Sequence, residues 1–297
     1  MASSDFTRNA REFTPTYQTD TYPFISPNQF DLSGRAVLIT GASRGIGLAT
    51  ALSYARAGAA KIAIAARSAP TNLVSELQSA ATSASRRKPE VLPLAIDVTD
   101  PASIDAATKE VQSRFGRLDI LINNAGYLET FTPVVESDPD EWWKTWTVNL
   151  RGVYLLSRAM IPLLLDTDGG LKTLLNTSSV GALNKRPGAS AYQSTKFAVL
   201  RFTEFLDAEY SEKGLLAIAM HPGGVMTELS KNMPKHTHNT ILTDKVELGA
   251  DTTVWITAER REWLAARYVS VNWDMKELSA EKERIVKEDL LKMRLAV

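Results

Sequence analysis

The stretch "TGASRGIG", residues Thr40 to Gly47, follows directly on the apolar run Arg35-Ala-Val-Leu-Ile39. Three glycines, Gly41, Gly45 and Gly47, fall within seven residues, and a helical pattern starts near Gly45. A strand, a Gly-rich turn and a helix N-terminus describe a dinucleotide site. Glycines let the backbone approach a pyrophosphate, and the helix start offers free N–H groups and partial positive charge. The small residues Ala49, Ser53, Ala55 and Ala57 suit close packing of that helix on the strand. A Gly-rich turn alone also suits any tight turn, so the rest of the chain has to decide.

Working outward, short β-rich runs alternate with helical stretches. The runs are Arg35–Thr40, Lys61–Ala66, Val91–Ile96, Leu118–Ile122, Leu171–Thr177, Leu215–Met220 and Arg267–Val271. Between them, Leu73, Val74, Leu77, Ala81 and Ala84 share one helical face, as do Ile104, Ala107, Val111 and Phe115. Asp100-Pro101 reads as cap and first turn of the second of these helices. Such alternation predicts an α/β fold: a doubly wound parallel sheet of about seven strands with helices on both faces. The almost wholly apolar strands agree with a sheet covered on both sides.

The 297 residues suit one large domain over 31–297, with a substrate loop at about 224–245. Residues 1–30 lack a helical period but carry Phe13, Tyr17, Tyr22 and Phe24. They read either as a solvated leader or as a strap packed on the body or a partner subunit. Acidic and basic residues balance at 34 each, which argues against a nucleic-acid partner. Cysteine is absent, so there is no thiol nucleophile and no cysteine metal site, and a reducing, cytoplasmic setting is expected. No uncharged apolar run approaches ~18 residues, so no membrane association is expected. The polar start lacks the core of a secretory signal. His236 and His238 sit in a polar loop without acidic neighbours, so no metal is expected.

Further motifs follow in order. Asn123-Asn124-Ala125-Gly126 ends the fourth run, Asn149 lies in "TVNLRG", and Ser178-Ser179 follows the fifth run. Tyr192 and Lys196 form Y-x-x-x-K, thirteen residues after Ser179. Pro222-Gly223, Val225 and Thr227 follow the sixth run. Taken with T-G-x-x-x-G-x-G, this set over roughly 33–275 resembles the short-chain dehydrogenase/reductase family, which has a Rossmann fold. The long leader and the ending "ARYVSVNWDMKEL" look like fungal members, which often serve secondary metabolism.

The resemblance implies a catalytic set of Asn149, Ser179, Tyr192 and Lys196. Tyr192 and Lys196 share a helix face. A neighbouring ammonium favours the phenolate and is expected to draw the phenol down from ~10. Tyr192 then passes a proton to or from a substrate oxygen that Ser179 holds. Lys196 reaches the ribose hydroxyls, and Asn149 opens its helix to hold a relay water. The implied nucleotide contacts are Gly41, Ser43, Arg44, Gly45, Ile46, Gly47, Arg67, Ser68, Asp97, Val98, Asn123, Ala125, Gly126, Tyr192, Lys196, Pro222, Gly223, Val225 and Thr227. An acid ending the second strand would bind a ribose 2′-OH. Ala66 stands there, followed by Arg67, with Arg44 in the glycine turn, so NADP(H) is the expected cofactor. Arg44 and Arg67 also suit plain solvent exposure, and Asp97 also suits a capping turn.

The substrate pocket is expected between the segment after Gly126 and the loop after Gly223. Its candidates are Ser179, Tyr127, Leu128, Leu183 and Met226, with Arg186, Leu229 and Met233 in support. They suit a mostly apolar carbonyl or alcohol compound of middling size. The helix after Tyr192 carries Phe197, Leu200, Phe202, Phe205 and Leu206 on more than one face, which predicts a homodimer or homotetramer. The functional expectation is an NADPH-dependent carbonyl reductase. The rivals are an NAD-dependent alcohol dehydrogenase, a cyclase or dehydratase on the same fold, and a nucleotide-sensing protein.

Overall fold

The computed structural model describes residues 12–295. Seven strands form one parallel sheet: β1 (Ala36–Thr40), β2 (Lys61–Ala66), β3 (Glu90–Ala95), β4 (Ile120–Asn123), β5 (Thr173–Thr177), β6 (Leu216–His221) and β7 (Tyr268–Ser270). Their order is β3-β2-β1-β4-β5-β6-β7. The order reverses between β1 and β4, and a crevice opens at the carboxyl ends there. The longer helices are α1 (Gly45–Arg56), α2 (Val74–Ser83), α3 (Pro101–Phe115), α4 (Pro139–Trp146), α5 (Gly152–Asp166), α6 (Ser190–Tyr210) and α7 (Val246–Thr257). The Asp100 carboxylate accepts from the Ala102 and Ser103 N–H groups, and Pro101 takes the first helical position of α3.

Period-two alternation sends neighbouring strand residues to opposite cores. Val37 and Ile39 of β1 join Ile120 and Ile122 of β4 on one face, under Tyr54 of α1 and Trp255 of α7. Ala36 and Leu38 join Leu121 on the other, under Ile104 of α3 and Leu156 and Met160 of α5. A π-turn over Thr147–Arg151 joins α4 to α5. The resulting helix, Pro139–Asp166, is long and apolar enough to cross a membrane by length and composition. Its inner stripe is instead buried against the sheet.

Residues 13–22 run against residues 272–277, and residues 28–32 against Ala57 and Arg86. The Phe13 ring meets Trp273 at 5.1 Å, and Tyr17 pairs with Trp273 in an antiparallel bridge. The Gln18 N–H donates to the Asn272 carbonyl at 2.7 Å, and the Thr21 hydroxyl donates to Asp251 at 2.6 Å. Ile25 and Leu32 are buried in the core under β1. The first eleven residues of the expected leader lie outside the described residues.

At the opposite end of the sheet, Asp119 knits β1, β4 and β5 together. Arg117 donates to it through Nε and Nη2, both at 2.8 Å, and Arg35 through Nη1 at 3.1 Å. The Ala36 N–H adds a fourth bond at 2.9 Å. Burial works to raise this carboxyl, but the Arg117 fork, the Ala36 amide and Arg35 outweigh it and hold it below its ordinary value. A depressed carboxyl stabilises the fold fully above its unfolded pKa and loses that contribution as pH falls through the folded one. Asp119→Asn is therefore expected to cost on the order of 3 kcal/mol in urea unfolding at pH 7. The gap from wild type should close progressively below about pH 4. An unchanged urea midpoint at pH 7 would remove Asp119 from this role.

Candidate active site

The glycine turn closes on itself at the β1–β4 crevice. Gly41 and Gly45 adopt φ of +65° and +56°, which side-chain-bearing residues rarely hold. Gly47 has no room for more, since a Cβ there would stand 2.3 Å from the Gly41 carbonyl oxygen. Asn124 donates to the Thr40 and Gly41 carbonyls at 2.8 and 3.4 Å. Thr40 Oγ1 accepts the Asn124 and Ala125 N–H groups at 3.0 and 3.1 Å. The first turn of α1 carries no side-chain cap, so its N–H groups face the crevice end without a local acceptor. Across from it, the Thr227 methyl stands 3.4 Å from where a Gly45 Cβ would be. This cradle, shaped by the absence of side chains, fits a pyrophosphate, with Ser43, Gly45, Ile46 and Gly47 on one wall and Gly223, Val225 and Thr227 on the other.

The expected adenosine end lies at the same rim. The Ala42 N–H donates to Ala65 O at 3.0 Å, which holds the glycine turn against the end of β2. Arg44, Arg67 and Ser68 are exposed there, and Ala66 offers no acid. Neither guanidinium makes a hydrogen bond or ion pair among the described residues, although Arg67 lies close enough to favour the charged form of Asp97. The Asp97 carboxyl is held below its ordinary value first by the Thr99 N–H and hydroxyl and then by Arg67. Asp97 therefore builds a turn before α3 and faces Arg67 as well. Val98 packs on Gly152, where a Cβ would come within 2.9 Å of its methyl. Gly126 borders Asn149.

The Asn123 side chain is buried at 3% exposure on the α5 face of β4, where it donates to Asn176 at 2.8 Å and Ser157 at 3.1 Å, and it lines a small cavity with Thr40, Val98 and Ala125. Asn124, which the sequence reading passed over, is the residue that holds the turn.

Tyr192, Lys196, Ser179 and Asn149 come together beside the cradle. Tyr192 and Ser179 line the same pocket, close enough that Ser179 favours the phenolate, and Ser179 Oγ accepts the Gly181 N–H at 3.0 Å. Lys196 is buried one helical turn on, with Nζ 5.7 Å from the Tyr192 ring centre. Its ammonium donates to the Thr177 carbonyl at 2.8 Å, and the Ser178 hydroxyl donates to the Lys196 carbonyl, also at 2.8 Å. Asn149 sits in the π-turn, a form that often marks functional sites. It accepts the Tyr127 N–H at 2.7 Å and donates to the Tyr127 carbonyl at 2.8 Å and to Thr195 at 3.2 Å.

Glu129 was also missed. Its buried carboxylate accepts the Tyr192 N–H in the first turn of α6 at 3.1 Å and the Thr145 hydroxyl at 2.9 Å. An acid in a loop of no set period carries no sequence signal for this capping role. The expected lowering of the Tyr192 phenol is reversed. The dense surround pushes it up to about 12, Ser179 offsets part of this, and the Glu129 charge adds to it. The same burial pulls Lys196 down to about 8.

A cavity of about 170 Å³ adjoins these groups. Ser179, Tyr192, Ile46 and Leu128 line it, with Leu229, Met233 and Arg186. Phe131, Val180 and Leu242 extend the apolar wall, and Tyr17 of the N-terminal segment closes one side. Three expected pocket residues are not in this lining. Tyr127 turns its hydroxyl to Glu141 and its ring under Lys144, because Asn149 pins its main chain. Leu183 ends the 3₁₀ turn Val180–Leu183 and packs on the core. Met226 faces outward at 46% exposure while Val225 beside it turns in.

The sequence profile described as short chain dehydrogenase matches residues 35–238. "Short chain dehydrogenase mpl6" of Monascus purpureus is 51% identical over 278 residues, covering 94% of each chain. "Short chain dehydrogenase pigC" of Monascus ruber is 46% identical over 286 residues, covering 95% of this chain and 93% of its own. Among solved structures, 3-ketoacyl-(acyl-carrier-protein) reductase from Brucella melitensis, complexed with NADH, superposes with a TM-score of 0.72. It is 28% identical and covers 81% of this chain and 98% of its own. Gluconate 5-dehydrogenase from Burkholderia cenocepacia, in complex with NADP and tartrate, gives 0.71 at 27% identity, covering 84% and 97%.

Proposed function

The chain belongs to the short-chain dehydrogenase family of oxidoreductases, and on that premise we propose that it is an NADPH-dependent carbonyl reductase with Tyr192 as its proton donor. The observation that carries this reading is that Tyr192 and Ser179 line one pocket, with Lys196 one helical turn from Tyr192, beside the glycine cradle. One catalytic domain, 31–297, holds the site. Residues 12–30 strap it and reach the pocket through Tyr17, and the loop at 224–245 forms the opposite wall.

When bound, the nicotinamide cofactor supplies the hydride. Ser179 and Tyr192 would hold the substrate oxygen from two sides, which fixes the carbonyl carbon's approach. The phenol keeps its proton at neutral pH because burial opposes the phenolate, so it is ready to give one. Lys196 holds a cation beside that ring without spending it on a carboxylate, because its local partner is the Thr177 carbonyl. Asn149 keeps the segment after β4 in place. Arg44 and Arg67 would hold a 2′-phosphate, since neither guanidinium makes a hydrogen bond or ion pair among the described residues and no acid ends β2. Self-association would proceed through α5 and α6, where Tyr154, Phe197 and Phe205 are all more than 40% exposed.

Tyr192→Phe should retain nucleotide binding and lose turnover by ~10²–10⁴, the usual worth of a general acid. For the wild type, kcat/KM in carbonyl reduction should stay level through neutral pH. It should then fall through about 8 as Lys196 loses its proton, and Lys196→Arg should move that fall to higher pH. Near-normal kcat in Tyr192→Phe sinks the assignment.

NADPH should be preferred over NADH by about 10- to 1000-fold in kcat/KM, from one or two charge-assisted bonds at a solvated rim. Arg67→Ala should weaken NADPH far more than NADH, and Ala66→Asp should invert the preference. Equal weakening of both nucleotides in Arg67→Ala would show that the rim does not read the phosphate.

Light scattering at micromolar concentration should give a dimer or tetramer mass, reduced in Phe205→Glu. A wild-type monomer overturns the proposed association.

A further inference from the structure

Arg186 carries a fixed positive charge. It lines the pocket, and its Nη1 is buried without a hydrogen-bond partner. Among the described residues the guanidinium forms no ion pair either. The pocket's own carboxylate, Asp244, does not supply one, since it accepts the Gly224 N–H at 2.7 Å and the Asn272 amide at 2.9 Å. Asn184, two residues earlier, also lines the pocket, and its buried Oδ1 likewise has no partner. Amide oxygen and nitrogen exchange places by a flip, so this side chain presents a donor as readily as an acceptor.

The loop that carries both residues is held in place. The Arg186 N–H donates to Gln193 Oε1 at 2.8 Å, which ties the loop to the residue after Tyr192. The Gly188 carbonyl accepts the Thr132 N–H at 3.0 Å on the other side. Gly188 adopts a φ of +84°, and a Cβ there would come within 2.9 Å of the Phe131–Thr132 backbone. Arg186 is therefore presented at a set position on the wall that also carries Ser179 and Tyr192.

We propose that Arg186 and Asn184 form an anion subsite, so that the substrate is an apolar carbonyl compound bearing a carboxylate. This rests on the reductase reading of the same site and narrows its substrate class. A guanidinium offers a planar fork that matches a carboxylate bidentately. A neutral oxygen would satisfy the Nη1 donor but bring no counter-charge to the guanidinium. The apolar wall of Leu128, Phe131, Val180 and Leu242 would cover the rest of the molecule.

The test uses the full chain loaded with NADPH and two non-reducible probes, 2-naphthoate and its neutral analogue 2-naphthamide, titrated by calorimetry. Wild type should bind the naphthoate at least about tenfold more tightly, the scale of one charge-assisted pair. Arg186→Gln should erase that preference, and Arg186→Lys should keep part of it, as charge without the fork. NADPH affinity and melting temperature report whether each variant is folded. Should Arg186→Gln fail that control, Asn184→Ala serves as the milder variant and should reduce the preference several-fold. Equal binding of the two probes by wild type, no naphthoate binding, or a preference that survives Arg186→Gln overturns the subsite. A kinetic arm compares 6-acetyl-2-naphthoate with 2-acetylnaphthalene. Naphthoate binding without turnover of either ketone would sink the reductase reading and leave the subsite standing. Turnover of both at equal kcat/KM, with equal probe binding, would do the reverse.

Discussion

Thr40 closes β1, and its hydroxyl takes two main-chain N–H groups from the end of β4. Asn124 returns the bond to the Thr40 carbonyl from the other side. This small lattice spans the place where the sheet order reverses. Parallel strands diverge there, and neither α1 nor the segment after β4 covers the gap. Gly41 and Gly47 exist on these terms. A side chain at Gly47 would strike the Gly41 carbonyl and also stand 2.6 Å from the Asn124 amide. The glycines thus serve first to let β1 and β4 be tied together, and the open cradle follows from that tie.

Helix α6 is fixed by a second set of contacts that lead back to the same strand end. Asn149 clamps Tyr127, two residues before Glu129, and Glu129 caps the first turn of α6 at Tyr192. Thr195 of α6 meets Asn149 directly. The π-turn at Thr147–Arg151 shifts the helical phase between α4 and α5 at Asn149. Lys196 is then locked from both ends, its carbonyl by Ser178 and its ammonium by Thr177. Position along the sheet, rather than any single strong bond, brings Ser179 and Tyr192 together.

Much of this is legible in the residues, and the reasons differ by element. Strands declare themselves because each is buried on both faces and bounded by turn residues. The glycine spacing is legible because only backbone fits there. Y-x-x-x-K is legible because a helix turns at a known rate. Loop residues have no period, so the direction of a side chain cannot be read. That is why Tyr127, Leu183 and Met226 are pocket candidates by position and yet lie outside the lining, while Phe131 and Asn184 line it without any signal. Asn123 and Asn124 look alike in sequence, and only the β4 pleat separates the buried one from the one at the turn. The strap shows the same limit. Phe13 and Tyr22 hint at packing, but their partners Trp273 and Met275 lie some 250 residues away.

The pair at the centre of the site carries an asymmetry that composition could not reveal. Burial disfavours charge on both members, raising the phenol to about 12 and lowering the lysine to about 8. Below about 8 the ammonium persists because the Thr177 carbonyl meets it. Between about 8 and the usual 10.5 the unfolded chain holds a proton that the folded one has released, so Lys196 makes stability rise with pH across that window. At neutral pH the site therefore rests with its proton on Tyr192. Glu129 reinforces this, because the carboxylate that caps α6 also repels a phenolate. On the proposed assignment, giving a proton starts from the resting form, whereas taking one requires the phenol to ionise against burial and against Glu129. The protein surround by itself thus keeps the phenol in the form that can donate a proton. Drawing the phenol toward the phenolate calls for positive charge close to its oxygen, and Lys196, one helical turn away, is placed to provide it.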